Sequence, residues 1–293
     1  MKPQMTDFHR LLARQKFNDI NEMQAFLDTL TGKSIYNLPQ IDLTVEEQAQ
    51  DLVFEAYELT PAKARLNIDK AFKLDPNCIE AYEYLASREK KAEKALVIFE
   101  KGIAIGRKKF GGKFLEQNKG IFWGIHETRP FLRCLYNKAD ILLIMGKITE
   151  SVVVMEEILE LNTGDNQGVR FQLLSVLIML DDPEKFKKYD KMFADDKHSA
   201  SILYSRALFA FKTEGNNAHA RKILNNAFNK NPFVVQKMLD KDFKLIDVNG
   251  YTLGSPEEAD IYLSYALHSW YKTEGAFDWL FETILKKLKK FTK

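Results

Sequence analysis

The chain has 293 residues, 45% of them hydrophobic and 29% charged, and its 43 basic and 41 acidic residues leave a net charge of +2. This composition suits a folded chain with a substantial core, and the near balance of charge gives no global electrostatic reason to expect nucleic acid or an anionic membrane as partner. No apolar run reaches the roughly 18 residues of a membrane span, and Met1 to Arg10 lacks a hydrophobic segment of the signal-peptide kind, so the sequence predicts a cytoplasmic protein unless a non-cleaved secretion signal is read.

In chain order, residues 1–40 read as an N-terminal helical cap. Phe8, Leu11 and Leu12, then Phe17, Ile20, Met23, Phe26, Leu27 and Leu30, recur at helical spacing and predict two short helices over 5–30. Thr31-Gly32 ends them, and Tyr36-Asn37-Leu38-Pro39 reads as an extended connection. Residues 41–109 carry two helix pairs. Thr44 with Glu47 forms a capping box for a helix to about Leu59, and Thr60-Pro61 opens a second that holds Ala64, Ile68 and Ala71 and stops at Asp75-Pro76. Tyr82, Leu85 and Ala86 mark the core face of the next helix; Ala95, Phe99 and Gly102 mark that of its partner, which runs to about Lys109. Phe110-Gly111-Gly112-Lys113 then breaks the pattern, and residues 110–128 form an insertion.

Residues 129–232 resume the pairs. Leu135, Ala139 and Leu142 face inward after Arg129-Pro130, Gly146 turns the chain, and Ser151, Met155 and Ile158 follow. Val169 to Leu180 is an apolar helix, and Asp182-Pro183 starts a shorter one with Phe186, Tyr189 and Phe193. Tyr204, Ala207, Leu208 and Phe211, the turn at Gly215, and Ala220, Leu224, Ala227 and Pro232 give the cleanest pair. Residues 233–293 form a C-terminal helical cap. It comprises a short helix over Phe233 to Leu239, a loop over Asp247 to Gly254, a helix started by Ser255-Pro256-Glu257-Glu258 and a last helix from Ala276 to Lys290. Cys78 and Cys134 lie far apart and are expected as small buried thiols rather than a disulfide.

The spacing of Ala64, Ile68, Ala71 and Pro76 recurs in Ala220, Leu224, Ala227 and Pro232, and in part in Ser151, Met155 and Ile158 and in Ala95, Phe99 and Gly102. Such a unit cannot bury its apolar face alone, so the predicted fold is all-α: an α-α superhelix, a tetratricopeptide-like solenoid of about 12–14 helices. The small–aromatic–small–proline spacing resembles tetratricopeptide repeats, most specifically over Tyr204 to Pro232. Phe122-Trp123-Gly124, Glu127-Thr128-Arg129-Pro130, Leu161-Asn162, Asp165-Asn166-Gln167-Gly168-Val169-Arg170, Gly254-Ser255-Pro256-Glu257-Glu258-Ala259 and Gly275-Ala276-Phe277-Asp278-Trp279-Leu280 together resemble a group of bacterial tetratricopeptide proteins. These are similar to the suppressor-of-tumorigenicity-seven family. Thr163-Gly164 and Ile125-His126 depart from the pattern, at turns. The resemblance implies a helical-repeat fold and carries no activity with it.

Chemistry concentrates in the insertion, where Trp123, His126, Glu127 and Arg129 stand beside a helix start. One reading is a recognition pocket, with Trp123 as aromatic anchor and Arg129 as a fork for a carboxylate or phosphate. The other is a wedge that restores stacking, with Arg129 and Glu127 paired internally. Asp165, Asn166 and Arg170 are polar at the next turn, where Asp165 or Asn166 also suits helix capping. No His-Glu-x-x-His, paired Cys-x-x-Cys or acidic calcium loop is present, so no metal or cofactor is expected. Gly111-Gly112-Lys113 reads as a turn rather than a phosphate loop. The basic run Leu285 to Phe291 reads as a solvated helix end, or else as a surface for nucleic acid or membrane.

Two functions of different class are expected. The first is a non-enzymatic scaffold or adaptor that binds a protein or peptide partner on the concave face of the array, with Asn137, Lys138, Arg170, Ser205 and Arg206 as groove candidates. The second is a sensor of a small or anionic ligand, or less readily an enzyme, with Trp123, His126, Glu127, Arg129 and Arg170 converging. The identity of the partner and the oligomeric state are open at this stage.

Overall fold

A computed structural model describes residues 5–33, 41–240, 242–246, 248 and 250–291, the side chains of Met5 and of 287–291 excepted. The expected connection at Tyr36 to Pro39 and most side chains of the basic tail lie outside the described residues. The described residues hold sixteen α-helices and only one isolated β-bridge, so the fold is all-α as the periodicity predicted. The helix count exceeds the expected 12–14, in part because the insertion contains a short helix of its own. By internal packing the chain divides into two units, Met1–Gly111 with Trp123–Cys134, and Gly112–Phe122 with Leu135–Lys293. The insertion is therefore shared between units, and the second boundary falls inside one helix.

The first unit contains α1 (Met5–Ala13), α2 (Ile20–Leu30), α3 (Val45–Tyr57), α4 (Pro61–Leu74), α5 (Ile79–Arg88) and α6 (Ala92–Phe110). Thr44 and Glu47 form the reciprocal capping box that opens α3, and Pro61 stands at the first turn of α4. Ala49, Val53 and Ala56 of α3 pack with Ala64, Ile68 and Ala71 of α4 in one core, joined by Ala81 and Tyr84 of α5. Small side chains let these helices approach closely, which a larger residue would oppose. On α5 the face is rotated from expectation: Ile79, Ala81, Tyr84 and Ala86 are buried, while Tyr82 and Leu85 are only partly so. Buried Glu80 and Glu83 on the same helix show that α5 is covered on more than one side. Along α6, Ala95, Phe99 and Gly102 are buried as expected and the face continues through Ile103 and Gly106. A Cβ on Gly106 would overlap the Phe131 ring, and one on Gly102 would lie 3.1 Å from the Cys134 sulfur. Both cysteines are buried free thiols. Helix α2 departs most from its reading, since none of its residues is buried and Ile20 is 72% exposed.

Helix α8 (Arg129–Ile144) crosses the boundary. The second unit holds α7 (Lys113–Asn118), α9 (Ile148–Leu161), α10 (Val169–Met179), α11 (Pro183–Met192), α12 (Ala200–Glu214), α13 (Ala218–Lys230), α14 (Phe233–Leu239), α15 (Pro256–Lys272) and α16 (Ala276–Phe291). Gly146 turns α8 into α9 at a φ of +73°, a conformation that favours glycine. The Ser151 hydroxyl then donates to the Ala139 carbonyl at 2.7 Å, so the small residue at the repeat position is also a fastener. The middle of the insertion pairs with the turn after α9: Ile121 bridges Asn162, and the Thr163 amide donates to the Gly120 carbonyl at 3.0 Å. Helix α10 is buried almost all round, because α9, α11, α12 and α15 all pack on it. Tyr204, Ala207 and Leu208 of α12 and Ala220, Leu224 and Ala227 of α13 are buried as the spacing required.

The C-terminal helices are less peripheral than a polar cap. Helix α15 lies against α10, α12 and α14, with Tyr262 and Trp270 fully buried. Its Ser269 hydroxyl donates to the Ser175 carbonyl of α10 at 2.7 Å, and its Tyr265 shares a short hydrogen bond with Ser201 of α12. Ser255 caps α15 as expected, but Glu258 does not reach back to close a capping box. Its buried carboxylate instead accepts hydrogen bonds from the Ala200 amide, the Asn231 side chain and the Gly254 amide. One side chain thereby ties the start of α12, the end of α13 and the loop before α15.

Candidate functional site

The insertion residues are occupied by one another. The Arg129 Nε donates to the Trp123 carbonyl at 2.9 Å, and the guanidinium lies 5.5 Å from the centre of the Trp123 ring. Glu127 is exposed, so the arginine is held by the tryptophan rather than by the glutamate that the wedge reading paired with it. His126 stacks on His9 with ring centres 5.0 Å apart. Its burial, the Arg129 charge and His9 hold its pKa below the usual histidine value.

Arg170 belongs to the second unit and is engaged there through its two terminal nitrogens, while its buried Nε has no hydrogen-bond partner among the described residues. It pairs with Asp165 at 2.8 Å and Asp196 at 3.3 Å, and lies 4.0 Å over the Phe171 ring. Asp165 also accepts the Val169 and Arg170 amides, which makes it the cap of α10, while Asn166 is exposed. Arg206 donates to Asp190 at 2.6 Å and to the Asp196 carbonyl at 3.0 Å. Ser205 is 1% exposed and sits 3.3 Å from the Ser175 hydroxyl. As a groove residue it needs correction, because α15 covers α10 and α12 there. Asn137 and Lys138 are half-buried on α8.

What α15 leaves uncovered is a groove of about 710 Å³ bounded by α8, the start of α9, α10 and α15. Leu143, Ile144, Ile148, Val176, Met179 and Ile261 make its apolar walls. Tyr136, Asp140, Gln172, Tyr265 and His268 bring polar groups into it. A mostly apolar concavity with a few convergent polar groups is the usual form of a binding site.

Asp140 is the unusual member. Burial pushes the pKa of four aspartates and glutamates upward: Asp51, Glu83, Asp140 and Asp165. Three of them face an arginine: Asp51 meets Arg10 at 2.8 Å, Glu83 meets Arg133 at 2.7 Å, and Asp165 meets Arg170 at 2.8 Å. Asp140 has a single partner among the described residues, the Gln172 amide, which donates to Oδ1 at 3.0 Å. Asp140 is half-buried, so its carboxylate loses part of its hydration, and one neutral hydrogen bond replaces that only in part. Burial first, and then the negative charge of Asp140, keep Tyr136 a phenol, its pKa pushed well up.

A second concavity, of about 740 Å³, lies in the first unit between Tyr57, Tyr84 and Arg88. The Tyr57 and Tyr84 rings meet edge-on at 4.9 Å and Arg88 lies 5.4 Å over Tyr84. Of its charged groups, Arg65, Arg88 and Lys90 are exposed and Glu89 is half-buried. Solvated charges of this kind contribute little to selective binding.

The sequence pointed to the inter-helix face but not to Asp140. Its signal was one carboxylate set between core positions Ala139 and Leu142 of a helix, and the groove exists only because α15 returns from far along the chain. No described helix is long and apolar enough to cross a membrane, and the described residues hold no cluster of three metal-ligating side chains. No protein family's sequence profile matches the chain, and no curated protein is found similar to it.

Proposed function

We propose that this chain is a non-enzymatic binding module of the tetratricopeptide kind, which holds a segment of a partner protein in the groove between α8, α10 and α15. The reading is carried by one observation: α15 already lies across α10 and α12, so the exposed groove is the uncovered continuation of a surface built to accept a helix. Helix-in-groove recognition uses such apolar walls with a few fixed polar groups. The two arginines of the competing ligand-sensor reading, Arg129 and Arg170, are each engaged by neighbours in their own unit, which supports a structural role for both.

A photo-crosslinking residue at Ile144, which is 74% exposed and lines the groove, tests this against the same residue at Val153, 59% exposed on α9 away from it. In cells expressing the full chain, a discrete protein adduct is expected from position 144 and not from 153. Adducts that are identical at the two positions, or none from 144, would refute the groove.

A further inference from the structure

The groove carries one acid, Asp140, whose surroundings differ from those of most acids buried in the fold. Asp51, Glu83 and Asp165 each lie against an arginine, Asp260 against Lys237 at 2.8 Å, and Glu258 takes three N–H donors. Buried Glu80 has only the Gln50 amide and the Cys78 thiol, and half-buried Asp140 likewise has no cation among the described residues, but Asp140 is the acid that lines this groove. Gln172 holds Oδ1 in place, and Oδ2 has no partner among the described residues. Tyr136 and Tyr265 line the same space. Aromatic faces beside a carboxylate favour a cation that has left water. The apolar walls, Ile144 and Met179 among them, suit the aliphatic stem of a long basic side chain.

Resting on the binding function proposed above, we infer that the segment entering this groove is an amphipathic peptide that places a lysine or arginine against Asp140, with aliphatic residues on either side. The missing counter-charge of the free protein is thereby supplied by the partner. A charge-assisted hydrogen bond formed in a desolvated site is strong and selective, and the opposite charge on the peptide is rejected.

The test is a display selection of random peptides of about 14 residues, four helical turns, against the full-length chain. Binders are counted as groove-dependent when Ser264→Trp, a change at an exposed groove residue, abolishes them. Among these, lysine or arginine is expected at one fixed position in nearly all sequences. Replacing it by glutamate should weaken binding by about tenfold or more, and Asp140→Asn should remove that difference while Asp140→Glu retains part of it. Groove-dependent binders without a basic residue, or with a preference unchanged by Asp140→Asn, would overturn the inference and leave the groove standing. The absence of any groove-dependent binder would overturn both. A final arm uses spermidine alone: if it binds through Asp140 as tightly as the peptides do, the site is one for a free amine and the peptide assignment falls.

Discussion

Asp51 and Glu83, beside Arg10 and Arg133, and Asp140, beside the groove, meet opposite circumstances. In the first unit Asp51 and Glu83 are enclosed, and each is met by an arginine from another helix. In the second unit Asp140 is half-buried at the wall of a groove, with the Gln172 amide as its partner among the described residues. Removing a charge from water is repaid only where a counter-charge or several donors wait inside. The first arrangement therefore fastens helices together, whereas the second holds an unmet demand at a surface open to a partner. Natural chains retain such features where function uses them, at some expense of stability.

The comparison can be broken most forcefully at Arg10. Arg10→Met turns Asp51 into a buried acid without its cation, and should lower stability by about 3 kcal/mol, with hydrogen exchange rising first in α1. A loss of a few tenths in denaturant unfolding would show that the pairing does not matter. Gly106→Ala probes the close packing that surrounds these pairs. The overlap with Phe131 should cost about 1–3 kcal/mol, more than the ~1 kcal/mol gained in helix propensity, so the unfolding midpoint should fall.

Asp140→Asn reverses the sign. It keeps an acceptor for Gln172 and removes the uncompensated charge, so it should stabilise the free protein at neutral pH by on the order of 1 kcal/mol. The pH dependence sharpens this. Because the folded pKa of Asp140 lies above its unfolded value of 3.8, the folded state takes up the proton first. Wild-type stability should therefore gain from this group as pH falls from neutral through the folded pKa, a gain the asparagine variant lacks. The smallest effect is expected at His126, whose folded pKa lies below 6.5. There the unfolded state binds the proton first, so its contribution is present above 6.5 and is lost as pH falls. His126→Phe should flatten that part of the stability profile, and an unchanged profile would show that the stack with His9 does not couple to folding.

Most helices were legible from side-chain spacing and end signals alone. The capping box at Thr44, the proline at 61, the turn glycines 146 and 215, and the small residues 64, 71, 220 and 227 all sit where a local rule puts them. The reading was weaker where burial depends on more than one neighbour, as on α5, whose face is rotated, and on α2, none of whose apolar residues is buried. Sites were weaker still. Arg129, Arg170 and Arg206 stand out in a sequence as unusual cations, yet each is engaged by groups in its own unit.

Sequence by itself determined that the chain is all-helical and where nearly every helix begins and ends, because propensity, capping and the period of the apolar face act over a few neighbouring residues. The tertiary structure alone decided which faces are covered. It laid α15 over α10 and α12, buried Ser205, and left Asp140 beside an open groove with no arginine to meet it. Burial and charge compensation are properties of segments brought together from distant parts of the chain, and no local pattern records them.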